Sequence, residues 1–195
     1  MGNLEIRPKT TALLVMDVQE AIVSSIVPQE REKLSNCLPR AIRAARTAKI
    51  PIIYVVAKFR KGYPEISERN NFFKNVKESN RLREDSPDSK ICQEFTPETG
   101  DIVVVKKRIS AFSGSDLEVV LRGLEVDTLI LTGVSTLGVV ESTARFAFDM
   151  DYRIIVLGDC CSDRVPEAHD IALKWILPRI STVASVSDFE SAIKQ

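Results

Sequence analysis

An unbroken apolar run that stops at a polar residue or a glycine occurs five times along this chain of 195 residues: TTALLVMDV (10–18), PIIYVVA (51–57), DIVVVKK (101–107), DTLILTG (127–133) and YRIIVLGD (152–159). None shows polar alternation and all are short, so each reads as a strand buried on both faces. STVASV (181–186) offers a shorter sixth strand. Helical periods lie between them. REKLSNCLPRAIRAARTAK (31–49) repeats Leu34, Leu38, Ile42 and Ala45 at helical spacing, with Pro39 expected to kink or break it. SDLEVVLRGL (115–124), Gly138 to Met150, PEAHDIALKWIL (166–177) and the closing DFESAIKQ read as further helices. Two-sided strands alternating with helices imply an α/β fold, a mostly parallel sheet covered by helices on each side.

Ligands bind such sheets at the carboxyl ends of the strands, where the strand order reverses. Those ends carry Asp17 and Gln19, Lys58 and Arg60, Lys106 and Lys107, and Ser135 and Thr136. The segment 58–90 follows the second strand and is rich in charge, Gly and Pro, with no clear period. Its aromatics Phe59, Tyr63, Phe72 and Phe73 argue against disorder, so a lid or an oligomer contact is expected, with Phe59 as the main pocket contributor.

Composition excludes several classes. Hydrophobic residues at 44% and charged residues at 28% suit one globular domain spanning 1–195. Twenty-seven basic residues balance twenty-seven acidic ones and no basic stripe recurs, which argues against nucleic acid as a partner. No segment reaches the roughly 18 to 20 apolar residues of a membrane helix, and the start lacks a signal pattern, so a cytoplasmic location is expected. The Met-Gly start is no myristoylation signal, because position 6 is Ile where Ser or Thr is wanted. Cys37, Cys92, Cys160 and Cys161 include no CxxC pair and read as reduced thiols.

GxGxxG, the phosphate loop and the GxSxG elbow are all absent, so no nucleotide cofactor is expected. With His169 as the only histidine, a histidine metal cluster is impossible, and PEAHD reads as the start of an ordinary surface helix. What remains is an acid and a cation at strand ends, Asp17 and Lys106. A buried carboxylate without a partner costs several kcal/mol, and a lysine from a neighbouring strand end would supply the charge while leaving a proton donor or acceptor in the cleft. A structural salt bridge, or an Asp17 that merely caps a loop, fits the same residues. Lys107, on the face opposite Lys106, and Arg108 read as solvated.

LLVMDVQ (13–19), VVVKKRISAF (103–112) and LILTGVSTLGVVESTARFAFDMDYRIIVLGDCCSD (129–163) together resemble the isochorismatase-like cysteine hydrolase superfamily, over nearly the whole chain. That group includes nicotinamidases, carbamoylsarcosine amidohydrolases and isochorismatases proper. The resemblance implies a three-layer α/β/α fold with a six-stranded parallel sheet, usually in a homo-oligomer. It implies a catalytic Asp17 with Lys106 as its partner, and a non-proline cis peptide at Val134–Ser135. The family's nucleophilic cysteine falls on Val139, so the nucleophile turn is present without its nucleophile. Isochorismatases proper also lack that cysteine and hydrolyse a vinyl ether with the aspartate as acid and water as nucleophile. The metal-binding histidines of nicotinamidases have no counterpart in VVAKFRKGYPE.

The resulting expectation is a hydrolase acting on a small-molecule vinyl ether or C–N bond without a covalent cysteine. The competing expectation is a silent member that binds a small molecule or serves as an oligomeric scaffold. Asp17 and Lys106 form the catalytic pair, no metal or cofactor is required, and Gln19, Phe59, Phe112, Ser135, Thr136, Gly138 and Val139 are the substrate-binding set. Strands 10–18, 101–106 and 127–133 should be neighbours, and backbone N–H groups near Gly138 and Val139 should point into the pocket.

Overall fold

Six parallel strands form one sheet in the computed structural model, which describes residues 4–194; Met1–Asn3, where the rejected myristoylation site would lie, fall outside the described residues. The strands are β1 (Thr11–Met16), β2 (Ile52–Ala57), β3 (Ile102–Lys106), β4 (Thr128–Val134), β5 (Arg153–Ser162) and β6 (Thr182–Ala184). All six apolar segments are therefore strands, each within a few residues of its expected bounds. The helices are α1 (Glu20–Val23), α2 (Pro28–Thr47), α3 (Asn71–Glu78), α4 (Leu117–Gly123), α5 (Glu141–Phe148), α6 (Pro166–Ile171) and α7 (Val186–Ala192).

The strand order is β3-β2-β1-β4-β5-β6. This corrects the expected neighbour set, because β2 lies between β1 and β3. The two-sided burial of β1 and β4 makes three layers. Leu13 and Val15 pack under α2 and α7 with Leu34, Leu38, Ile42 and Phe189. Leu14 and Met16 pack on the other face with Leu117 and Leu121 of α4 and with Ala144 and Ala147 of α5.

Of the expected kink or break at Pro39, the break does not occur, because α2 runs through it. Leu34 and Leu38 before the proline and Ile42 and Ala45 after it are buried on the same side, so sheet packing on both sides of Pro39 outweighs the one lost backbone bond. The helix expected from Gly138 begins instead at Glu141, after a wide five-residue turn of π-helical type, Thr136–Val140. The segment 58–90 is also more regular than its sequence suggests. It holds α3 and a cluster in which Phe59 packs on Tyr63 and Phe73 at centroid distances of 5.9 and 5.8 Å.

The order reverses at β1, and there β4 approaches very closely. Gly133 has φ +119°, and a Cβ on it would lie 2.0 Å from the Met16 carbonyl oxygen. Only glycine satisfies both the backbone angle and the space. Gly133→Ala should cost at least about 3 kcal/mol, from a positive φ worth about 1–3 kcal/mol plus a clash with immobile backbone. Gly62→Ala, also at positive φ but with open space around it, should cost clearly less. Urea unfolding of the two variants checks this, and equal losses would contradict the close-approach argument.

Candidate active site

Beyond Met16 the chain leaves β1 through Asp17, whose φ of 54° is left-handed. Asp tolerates this conformation better than most residues. Its N–H still bonds the Val55 carbonyl at 2.8 Å, so the residue is pinned to the sheet as it turns. Its carboxylate meets Lys106 across β2, with Nζ to Oδ2 at 2.9 Å. Strands lie about 4.8 Å apart, so the lysine stem must cross one whole strand to get there. The residue in register with Lys106 on that strand is Ala57, the smallest side chain β2 has.

Both charges are shut off from water: the Lys106 side chain is 0% exposed and that of Asp17 5%. Lys106 also donates to the Ile109 carbonyl at 2.6 Å, whereas Asp17 Oδ1 is buried with no partner. Burial outweighs the attraction of Lys106 and pushes the Asp17 carboxyl up to about 6, and burial likewise lowers the Lys106 ammonium. Asp17 thus keeps its proton to higher pH than an ordinary carboxyl and has one oxygen without a partner.

It opens on a cleft of about 430 Å³. Ser135, Gly138 and Val139 of the wide turn form one wall, and Phe72, Phe73 and Val76 of α3 face them. Arg108 and Ile109 complete the side next to Lys106. The Val134–Ser135 peptide is cis. The turn hangs from Ser135, whose carbonyl accepts from Val139 N at 2.8 Å and Val140 N at 3.0 Å, and Leu137 N donates to Asp163 Oδ2 at 2.9 Å.

The isochorismatase domain signature matches residues 11–188, which takes in all six strands. The chain belongs to the isochorismatase family. Among its relatives, a ureidoacrylate amidohydrolase, RutB of Methylobacterium radiotolerans, is 35% identical over 95% of this chain and 80% of its own length. The isochorismatase family protein YecD of Escherichia coli O157:H7 is 33% identical over 97% of this chain and 100% of its own. In fold, the crystal structure of a cysteine hydrolase from Pseudomonas syringae pv. phaseolicola superposes with a TM-score of 0.88 at 24% identity, covering 98% of this chain and 95% of that one.

Of the residues expected in the site of this isochorismatase-family chain, the structure brings Asp17, Lys106, Ser135, Gly138 and Val139 together. The others stand behind the cleft. Gln19 spends its carboxamide on main chain, donating to the Ala57 and Ser89 carbonyls at 2.9 and 2.8 Å and accepting from Ala57 N at 2.8 Å. Phe59 is wholly buried and supports Phe73 instead of lining the pocket. Phe112 stacks on Phe146, and Thr136 is buried against His169. The Val139 N–H, expected to point into the pocket, is consumed by Ser135.

Sequence reasoning missed Arg108 and His169. Arg108 is not solvated: it donates to the Glu65 carbonyl at 2.9 Å, lies 5.3 Å from the Phe73 centroid and lines the cleft. Lys107 is similarly drawn inward, donating to the Lys58 carbonyl and lying 3.5 Å from Glu65. Only folding of 58–90 over β3 creates these partners.

A raised carboxyl has a signed consequence. The folded state holds the Asp17 proton from the ordinary value of 3.8 up to about 6, while the unfolded chain releases it. The contribution of Asp17 to stability is therefore greatest below that ordinary value and is lost as pH rises through the folded one. Relative to Asp17→Asn, the wild-type protein should lose stability between those limits, as read by denaturant unfolding at several pH values. An opposite slope would mean that the attraction of Lys106 outweighs burial.

Proposed function

We propose that this chain is a hydrolase of small molecules, working as one domain over 1–195, in which Asp17 exchanges the proton and water, not a cysteine, attacks. The observation that carries the reading is the free Asp17 oxygen at the floor of a cleft whose nucleophile position holds Val139. Burial raises the thiols of all four cysteines, to about 11 for Cys92 and about 12 for Cys161, so neutral pH leaves them protonated and poorly nucleophilic. None of the four lines the cleft.

The bond broken is a C–N bond or a vinyl ether. The name of the ureidoacrylate amidohydrolase relatives favours the former. In either case Asp17 delivers or accepts the proton while Lys106 holds the carboxyl in place. Positioned acid–base chemistry of this kind supplies about 10²- to 10⁴-fold in rate. Ser135 and the main chain around Gly138 orient the water and substrate, and Arg108, which has no carboxylate partner among the described residues, offers a cation to an acidic substrate group. Neither step calls for a metal or cofactor.

The free cysteines fit a reducing, cytoplasmic setting. Exposed Phe72, Phe148, Ile171 and Trp175 support a homo-oligomer. The absent thiol equally favours a silent binding or scaffold protein, and one experiment separates the two. In a screen of small ureides, amides and enol ethers, hydrolysis should survive iodoacetamide and fall by about 10²- to 10⁴-fold in Asp17→Asn. Loss of activity on alkylation would return the chemistry to a cysteine. No turnover by folded wild-type protein across the screen would favour the scaffold.

A further inference from the structure

The turn that walls the cleft hangs by its main chain from the Ser135 carbonyl. Its first flanking residue, Ser135, makes no side-chain cap bond. Two residues of the chain that follows β5 add the side-chain ties. Asp163 takes the Leu137 N–H, and His169 Nδ1 lies 2.8 Å from Thr136 Oγ1. Thr136 is 0% exposed, and His169 is the only side-chain partner of its hydroxyl among the described residues. We infer that His169, acting through Thr136, is a positioning residue that holds the turn 136–140 against Asp17. The kinetic consequence rests on the hydrolase reading above, whereas the structural coupling does not.

The other side of the imidazole faces a second cleft of about 520 Å³ between α2 and α6. Charged groups line it there, Glu30 and Lys33 of α2, Asp159 of β5, and Glu167 and Asp170 of its own helix, while Asp163 faces the ring from the first cleft. His169 thus stands between the two clefts, with one nitrogen committed to the turn. Burial lowers its tendency to take up a proton, which keeps the ring neutral and able to share one hydrogen with Thr136. When the ring is protonated both nitrogens are donors, so Nδ1 donates to the threonine hydroxyl instead of accepting from it. The surrounding carboxylates outnumber the single lysine and favour the charged ring on the second-cleft side. Acidification therefore reverses the bond to Thr136, and the turn senses the charge of the ring through it.

Because the chain has one histidine, its ring gives one set of NMR signals. The amide resonances of Gly138 and Val139 should titrate with the same midpoint as the His169 ring, and Thr136→Val should move that midpoint. Flat amides, or a midpoint untouched by Thr136→Val, overturn the inference whether or not the protein hydrolyses anything. Where a substrate is found, His169→Leu should lower kcat by about 10²-fold with KM little changed, the size of loss expected from slight misplacement of reacting groups. His169→Asn, whose amide reaches the place of Nδ1, should recover part of it. Wild-type kcat in His169→Leu overturns the inference while leaving the Asp17 reading intact.

Discussion

A carboxylate and an ammonium that meet with water excluded set the terms for everything around them. Each ion left alone in such a place would cost several kcal/mol, and their attraction offsets that only if the geometry is held closely. The holding is visible in three backbone facts. Asp17 leaves β1 in a left-handed conformation while keeping its ladder bond to Val55. Gly133 lets β4 come within contact of the Met16 carbonyl. Ala57, in register with Lys106, puts the smallest side chain of β2 where the lysine crosses that strand. The pair is complete on the lysine side and incomplete on the acid side, since Asp17 Oδ1 lacks a partner. That oxygen is buried in a residue that lines the cleft.

Strand order explains why the cleft is where it is. Chain progression runs outward from β1 through β2 to β3, then returns to the other side of β1 through β4, β5 and β6. Loops leaving β1 and β4 therefore diverge, and the crevice between them has no covering helix of its own. The segment 58–90 supplies the cover. It is anchored by main-chain acceptors rather than by acid–base pairs at the cleft. Arg108 bonds the Glu65 carbonyl and Arg81 the Ala21 carbonyl, while Tyr63 donates to the Arg81 carbonyl at 2.8 Å.

Val139 sits in a turn whose backbone is closely specified. The wide turn, the cis peptide and the close approach of Gly138 to Ser135, where a Cβ would fall 2.5 Å from Ser135 Oγ, all surround the Val139 side chain. Cys160 and Cys161 belong to β5 and its core contacts, and burial keeps their protons on. The turn around position 139 is thus fully formed, and Asp17 lines the same cleft.

By itself the sequence determined the strands, the layers and the acid–cation pair, because those depend on local pattern: two-sided apolar runs, helical periods, and polar residues where a run stops. It also placed Ser135, Gly138 and Val139 in the cleft, since a strand-to-helix turn at a sheet end faces it. Which strands are neighbours was decided only in three dimensions, and so β3 reaches Asp17 over β2 instead of lying beside it. The fates of Gln19, Phe59, Phe112 and Thr136 were equally invisible, because whether a side chain at a strand end turns to the cleft or to the main chain depends on partners 30 to 70 residues away, such as Ser89 for Gln19 and His169 for Thr136. Arg108 and His169 look like surface residues in sequence because nothing local distinguishes a solvated cation or a helix imidazole from one that distant packing has enclosed.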